Sequence, residues 1–466
     1  MCIVRFVAEG VGPFERLDLD LSDGRGNPHL GPHVLAGVNG SGKSTALRAI
    51  AWSLATSGHR FDFVRWTHLL SAKNSYACTL VKTHEPFICA ASSHRRSLAG
   101  WVKEQLGGDW QGDANPVQHP LHRPMSREAE FYYARLGRQP PDPNSEDPFF
   151  CAAYAPTKAL QYLPHPDMGK AQTNPYANAL GFETTCDNES LQAWFLNLFS
   201  RGAIAARRGE PAEKYDNLLS SFQTALEDIF AEHVTLDVSL DSPVLQPLVK
   251  LRGSQLNLSQ IPDGIRGVLG WLGDFLNRRE MASHDQRRQP VPSVLLIDEL
   301  DAHLHPRWQR QILPAIQKAL PGVQIIVATH SPFIISSCRE AKVHVLQVSS
   351  GKAQALPPVD APFGYSVNAT LKDIFDVNSQ FDLKTERDLD EWDALKRRDT
   401  IGKLSPTDKK RLQQLTTELS ERSEELKFVV GLPPRLSESV LGVLGEGKNG
   451  GKQAKTRRPA RQIRHG

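Results

Sequence analysis

Residues Gly37-Val-Asn39-Gly40-Ser41-Gly42-Lys43-Ser44 fit the spacing G-x-x-x-x-G-K-[ST], and no other stretch constrains the fold as tightly. The motif follows a short apolar run, Pro32 to Ala36, and leads into Ser44 to Leu54, whose apolar residues recur at helical spacing. Strand, glycine-rich turn and helix in that order make a phosphate cradle. The glycines let backbone N–H groups converge on phosphate oxygens, and the helix adds its positive N-terminal end. Lys43 is placed to reach the β and γ phosphates, and the Ser44 hydroxyl to ligate Mg2+. The candidate nucleotide-binding residues are therefore Gly37, Asn39, Gly40, Ser41, Gly42, Lys43, Ser44 and Thr45.

Such a cradle needs an acidic partner at the end of a neighbouring strand. Val294-Leu-Leu-Ile297 followed by Asp298 and Glu299 supplies one, with Asp298 placed to hold Mg2+ and Glu299 to orient or deprotonate the attacking water. Adjacent carboxylates after a strand also suit an ordinary helix N-terminus, whose dipole favours them. The glycine loop in the same chain favours the catalytic reading.

The surrounding pattern is α/β. Cys2 to Ala8 and Phe14 to Leu21, separated by Gly10 and Gly12-Pro13, predict a β-hairpin. Further strands are expected around Ala77 to Lys82, Phe87 to Ala91 and Phe149 to Tyr154, with the polar stretch from Gly107 to Asp147 as loop or insertion. From Glu189 to His233 the pattern is helical, with Trp194, Phe195, Leu198, Phe199, Leu218, Phe222, Leu226 and Phe230 as its apolar stripe. Strands at Val234 to Leu240 and Leu248 to Leu251, and a helix from Ile265 to Arg279, follow. Two β-α units then begin at Val294 and Val323, their continuous apolar strands fitting a parallel sheet covered on both faces. The expected organisation is a nucleotide-binding head built from residues 1–160 and 257–350, a mainly helical inserted lobe with returning strands at 161–256, and a C-terminal helical region at 351–445. A charged hairpin from Lys384 to Lys427 turns near Leu404-Ser-Pro406, and a basic tail at 446–466 is expected to be disordered.

Composition narrows the class. At 466 residues the chain can bury a large core and carry more than one lobe. No run approaches the eighteen or so apolar residues a membrane span needs, and Met1 to Gly10 lacks the features of a secretory signal, so a cytoplasmic protein with no membrane partner is expected. The six cysteines are scattered, which argues against a zinc site or a disulfide framework. A net charge of +3 does not by itself imply nucleic acid.

Four elements together resemble the ABC-type ATPases, in the branch that holds the RecF and SMC heads. They are Gly37 to Thr45 with its hairpin, Leu258-Ser259-Gln-Ile-Pro-Asp263-Gly264-Ile-Arg266, Asp298-Glu299-Leu-Asp301-Ala-His-Leu-His305-Pro306, and Ile325-Ile-Val-Ala-Thr329-His330-Ser331-Pro332. The resemblance implies that the second is a degenerate signature motif whose Ser259, Asp263 and Gly264 cap the nucleotide of an opposite subunit. It makes the third a Walker B joined to a D-loop, and His330 the switch histidine at the γ phosphate. Read without the resemblance, the signature stretch is also a good helix entrance, and a lone His330 a buried histidine or cap. The family's Q-loop glutamine has no match after Tyr154, where Ala155-Pro-Thr157-Lys158 stands and Gln161 is displaced. His303 and His305 alternate near carboxylates, but the family uses this segment at its dimer interface, not for zinc. The spacing of 255 residues from Lys43 to Asp298 leaves no room for a long coiled coil.

The C-terminal segment, with Thr370 to Val377 and the charged hairpin, looks like the tail of stand-alone ATPases of bacterial defence systems, of retron and Septu type. No nuclease motif follows Val348, unlike OLD-type proteins with their own Toprim domain. The resemblance implies ATP and Mg2+ as cofactors, catalysis through Glu299, His330 and Lys43, and a homodimer or higher oligomer formed on ATP. It also implies a separate effector such as an HNH-type nuclease. DNA or RNA is a further candidate partner, with the basic tail as one place for it. The competing reading is a slow nucleotide-dependent scaffold that processes no nucleic acid. A transporter motor fits less well, given the third element and the hairpin.

Overall fold

The computed structural model describes residues 2–54, 75–82, 87–92, 101, 110–113, 130–136, 150–155, 174–239, 245–283, 291–349, 351–377 and 381–431. The Q-loop slot beyond residue 155 and the basic tail lie outside them. Backbone contacts divide the chain into two units, Met1–Val367 and Asn368–Gly466.

The first unit opens on the expected hairpin, β1 (Cys2–Val11) and β2 (Phe14–Asp20). Along the second part of β2, Leu17 and Leu19 are buried while Arg16, Asp18 and Asp20 are exposed, the period of two that a half-covered strand requires. Then come β3 (His33–Ala36) and α1 (Lys43–Leu54), the latter burying Ala46, Leu47, Ile50, Ala51 and Leu54. Four strands widen the hairpin into an antiparallel wing: β4 (Tyr76–Lys82), β5 (Phe87–Ser92), β6 (Trp110–Asp113) and β7 (Glu130–Leu136). The last two correct the expectation of a loop over 107–147. Glu130-Phe-Tyr-Tyr-Ala-Arg-Leu136 is a β-favouring run that pairs with β5 along its length, inside a Pro- and Asp-rich stretch that hides it.

After β8 (Phe150–Tyr154), the lobe contains α2 (Asn188–Arg208) and α3 (Glu213–Phe230). Asp187 caps α2 by accepting from the Ser190 N–H, and Gly209 ends it in the left-handed conformation. Alongside β9 (Val234–Ser239) and β10 (Gln246–Leu251), β11 (Ser254–Asn257) completes a separate three-stranded antiparallel sheet. Next come α4 (Asp263–Ala282), β12 (Ser293–Ile297), α5 (Pro306–Ala319), β13 (Val323–Thr329), the single turn α6 (Pro332–Ile335) and β14 (Lys342–Ser349).

The strands β14, β3, β13, β12 and β8 lie side by side in that order, every neighbouring pair parallel. All residues of β8, β12 and β13 are buried, as strands covered on both faces require. The C-terminal region begins later than residue 351: β15 (Lys352–Ala355) and β16 (Val359–Asp360) pair with β14 and belong to the main sheet.

The second unit carries the helical hairpin anticipated from charge pattern. After α7 (Val367–Phe375), which starts at the boundary, α8 (Leu383–Thr400) and α9 (Pro406–Arg422) pack Leu389, Trp392 and Leu395 with Leu412, Leu415 and Leu419. A third helix, α10 (Glu424–Gly431), adds Leu426, Val429 and Val430 to that core. Among the described residues no helix is long and apolar enough to cross a membrane.

Two buried polar contacts in the first unit carry predictions. His33, at the start of β3, meets His344 of β14 through Nδ1 and Nε2 at 3.1 Å, while His33 Nε2 and His344 Nδ1 find no hydrogen-bond partner. Burial holds both imidazoles below the usual value, His344 at about 4; Asp20 opposes it at His344, and His29 and Lys342 reinforce it at both. The folded chain therefore binds fewer protons than the unfolded chain between about pH 6.5 and 4. Stability is expected to fall as pH drops through that window, by up to about 1.4 kcal/mol per pH unit for each histidine. Urea unfolding of the wild type and of His33→Gln/His344→Gln across that range checks this: the double variant should show a shallower slope.

The second contact anchors α4. Asp274 and Arg278 pair at 2.7 Å with side chains only 2% exposed, and Tyr154 donates to Asp274 at 2.8 Å. Asp274→Ala would leave the guanidinium buried without its counter-charge, and is expected to cost about 3–5 kcal/mol of stability by chemical denaturation.

Candidate functional site

β3, β12 and β13 all point their carboxyl ends to the same edge of the parallel sheet, and the motif residues follow them there. Gly37 follows Ala36 of β3, Asp298 follows Ile297 of β12, and His330 follows Thr329 of β13. Ligands bind at this edge of open α/β sheets, where loops and helix N-termini converge.

Backbone packing explains the glycines. Gly37 has a φ of 149° and lies so close to the Leu346 carbonyl that a Cβ would collide with it; Gly42, at φ 94°, lies against the Phe14 ring. The hairpin thus braces the loop. α1 begins inside the loop, so its first N–H groups lie where an anion would be held. Ser41 Oγ is buried with no hydrogen-bond partner.

Lys43 folds back over this loop. Its ammonium donates to the Gly37 carbonyl at 2.9 Å and the Val38 carbonyl at 3.1 Å, and lies 3.4 Å from His330 Nδ1. Burial pushes its pKa down to about 8, against the opposing pull of Asp298, Asp301 and Glu299. Burial also pushes the Asp298 carboxyl up, although the Ser44 hydroxyl donates to its Oδ1 at 2.9 Å and Arg48 stands near. Burial thus disfavours the charged form of both groups. A triphosphate would favour the charged lysine, and a divalent cation the charged aspartate. Ser44 Oγ and Asp298 Oδ1, a hard-oxygen pair, fit Mg2+.

The catalytic candidates are held by strain and hydrogen bonds. Glu299 is exposed and has a φ of 48°, a left-handed conformation that costs a glutamate on the order of 1 kcal/mol and that its surroundings sustain: Asp298 N donates to the Tyr154 carbonyl and Leu300 N to the Ala328 carbonyl. Asp301 accepts from the Thr329 hydroxyl and, at 3.2 Å, from the His330 N–H. Ser331 bonds Gln309 at 2.7 Å and caps α6. Burial, and next the Lys43 ammonium, push the His330 imidazole below its usual range, leaving it neutral near pH 7.

Lys43, Ser44, Asp298, Glu299 and His330 are thus one constellation. Ser259 stands apart from it, exposed, in the turn after β11, its hydroxyl donating to Asn257 Oδ1 at 2.6 Å. Asp263 opens α4, exposed and paired with Arg266, whereas Gly264 is buried against the His303 carbonyl of its own chain, a packing that leaves no space for a Cβ. His305, one of the two alternating histidines, caps α5 by accepting from Arg307 N at 3.2 Å.

Sequence reading missed two residues beside the constellation. Arg48 lies one turn beyond Ser44 on the same face of α1, and pairs with Glu183. The four-residue spacing from Ser44 was the available signal for Arg48. Glu183 had none, since tertiary contacts alone bring it there.

Residues 196–336 match the family model described as "AAA domain, putative AbiEii toxin, Type IV TA system", a span that includes Asp298, Glu299 and His330. The chain is 26% identical over 153 residues to the "Retron Vc95 probable ATPase" of Vibrio cholerae, covering 32% of this chain and 29% of that protein. It is 26% identical over 172 residues to the "Septu protein PtuA" of Bacillus mycoides, covering 35% and 24%. The match to the PtuA of Bacillus thuringiensis is 36% over 90 residues, covering 18% and 23%. The chain therefore spans less than a third of the length of these relatives. Among solved structures, an SMC head bound to the C-winged helix domain of ScpA is similar, with 12% identity, TM-score 0.44, and 78% of this chain and 98% of that one covered.

Proposed function

We propose that the chain, which is similar to a retron probable ATPase and to Septu PtuA proteins, contains a P-loop ATPase-type domain. On that premise we propose that it binds and hydrolyses ATP in the cytoplasm, that ATP joins two copies head to head, and that the cycle gates a separate effector, such as an HNH-type nuclease, in defence against phage. The observation that carries this reading is the meeting of Lys43, Ser44, Asp298, Glu299 and His330 at one sheet edge, with Ser44 bonded to Asp298 at 2.9 Å.

In this reading the loop N–H groups of Gly40 to Thr45 hold the β phosphate, and Lys43 exchanges its two loop carbonyls for β and γ oxygens. Mg2+ bound by Ser44 and Asp298 would offset the charge of the phosphates. Glu299 takes the proton of the water that attacks the γ phosphorus, the bond to the β–γ bridging oxygen breaks, and the products are ADP and phosphate. Neutral His330 donates to the γ phosphate, and Asp301 fixes its backbone. The opposite subunit contributes the start of α4, where Ser259 and Asp263 are exposed; Gly264, packed on its own D-loop, serves by allowing that approach.

Phosphate release from ATP by the purified chain, with and without DNA or RNA, tests the role. Stimulation by nucleic acid supports an effector-gating motor. A slow rate unchanged by any nucleic acid supports a scaffold instead, and absence of release contradicts the enzyme.

A further inference from the structure

Glu183 has no place in the motifs, yet the fold holds it beside them by several independent contacts. The segment that carries it is clamped from inside: Arg278 donates through Nη1 to the carbonyls of Pro175 at 2.9 Å and Ala177 at 2.7 Å, and through Nη2 to that of Thr185 at 2.8 Å. Ala153 N donates to the Ala179 carbonyl at 2.7 Å, and Tyr154 bridges to Phe182 as an isolated parallel pair. Phe182 is buried and has a φ of 54°, a conformation that is unfavourable for a bulky side chain and persists only where the surroundings impose it. The strained residue immediately precedes Glu183.

The chemistry of the pair points the same way. Arg48 Nη2 bonds Glu183 Oε1, and the guanidinium sits 5.7 Å from the Phe182 ring centre. With side chains 22% and 35% exposed, the ion pair contributes at most about 1 kcal/mol to stability, which does not account for a buried clamp and a strained residue. Glu183 Oε2 accepts no hydrogen bond from a described residue. Glu183, Asp298 and Glu299 line one cleft, along with Asp263 at the start of α4. Arg48 also acts on Asp298, favouring its ionised form while Glu183 opposes it. Glu183 and Glu299 therefore share a cleft with Asp298, and Arg48 bonds one oxygen of Glu183.

We propose that Glu183, held by Arg48, is a positioning residue of the nucleotide site that accepts a hydrogen bond from a water on the nucleotide-bound divalent cation. This rests on the ATPase reading above, and supplies from residue 183 the polar group that sequence did not reveal after β8. Arg48 and Ser44 share one face of α1, so the metal's first ligand and the anchor of Glu183 move together. The clamp by Arg278 ties the same carboxylate to α4, the helix whose first turn faces an opposite subunit in the proposed dimer.

The test uses the full chain, Mn2+ and the slowly hydrolysed analogue AMP-PNP, following free Mn2+ by electron paramagnetic resonance. Glu183→Gln is expected to weaken Mn2+ binding to the protein–AMP-PNP complex by about tenfold, as loss of outer-shell contacts to a metal does. AMP-PNP affinity in EDTA should stay within about twofold, the phosphate cradle being untouched, and Glu183→Asp should recover most of the loss because it keeps the charge. Thermal unfolding of both variants separates a folding defect from a metal defect, and Glu183→Asp remains informative if Glu183→Gln fails to fold. Equal Mn2+ affinity in wild type and Glu183→Gln would overturn the proposal while leaving the ATP site intact. A wild type that binds no AMP-PNP even in EDTA would instead overturn the ATPase reading itself.

Discussion

Lys43→Ala is expected to weaken ATP binding by roughly 100-fold or more, because losing the partner of a desolvated charge costs about 2–5 kcal/mol. The variant should fold as well as the wild type. In the empty site the Lys43 ammonium is bonded to two carbonyls of its own loop and burial lowers its pKa to about 8, so it is a charge kept at a cost. Removing it relieves that cost while deleting the phosphate contact. Equilibrium binding of a fluorescent ATP analogue, with thermal unfolding of the same samples, separates the two effects. Affinity within threefold of wild type would show that phosphates bind elsewhere.

Glu299→Gln is expected to do the opposite to binding and to turnover. An amide keeps the size of the side chain and can follow the same left-handed backbone, but it cannot take a proton from water. Phosphate release should fall by about 100- to 10,000-fold, the usual contribution of a positioned general base, while ATP affinity is retained or improved. Retained turnover in that variant would move the base elsewhere, with Glu183 an alternative in the same cleft.

Local chemistry determined what could be read in advance. A loop that wraps phosphate needs glycine where backbone crowds backbone, as at Gly37 beneath Leu346, and such needs leave a mark in consecutive residues. The same holds for β12 and β13, whose unbroken apolar runs announce strands covered on both faces, and for the hairpin at 383–422, whose turn is marked by Ser405 capping at Pro406. What escaped depends on partners distant in the chain. β7 is a strand because β5 offers it an edge, and β15 because β14 does, although Pro, Gly and charged neighbours obscure both. Glu183 reaches the site through carbonyl contacts to Arg278, and backbone carbonyls carry no sequence signal. The signature stretch was legible as a helix start at Asp263, but not the burial of Gly264 against His303, which depends on how two loops meet.

In the proposed function half of the site would come from another copy of the chain, so nucleotide chemistry and assembly are one claim. Ser259 and Asp263 are exposed and have no contact with Lys43 or Ser44 in their own chain, which leaves the γ phosphate open on the side where a second head would close it. Sedimentation velocity of Glu299→Gln with ATP and Mg2+, compared with the same protein in EDTA, measures that closure directly, because the variant holds the state that hydrolysis would dissolve. The account predicts a nucleotide-dependent shift from a smaller species to one of twice its mass, absent when Lys43→Ala is added. An unchanged monomer with ATP bound would contradict it.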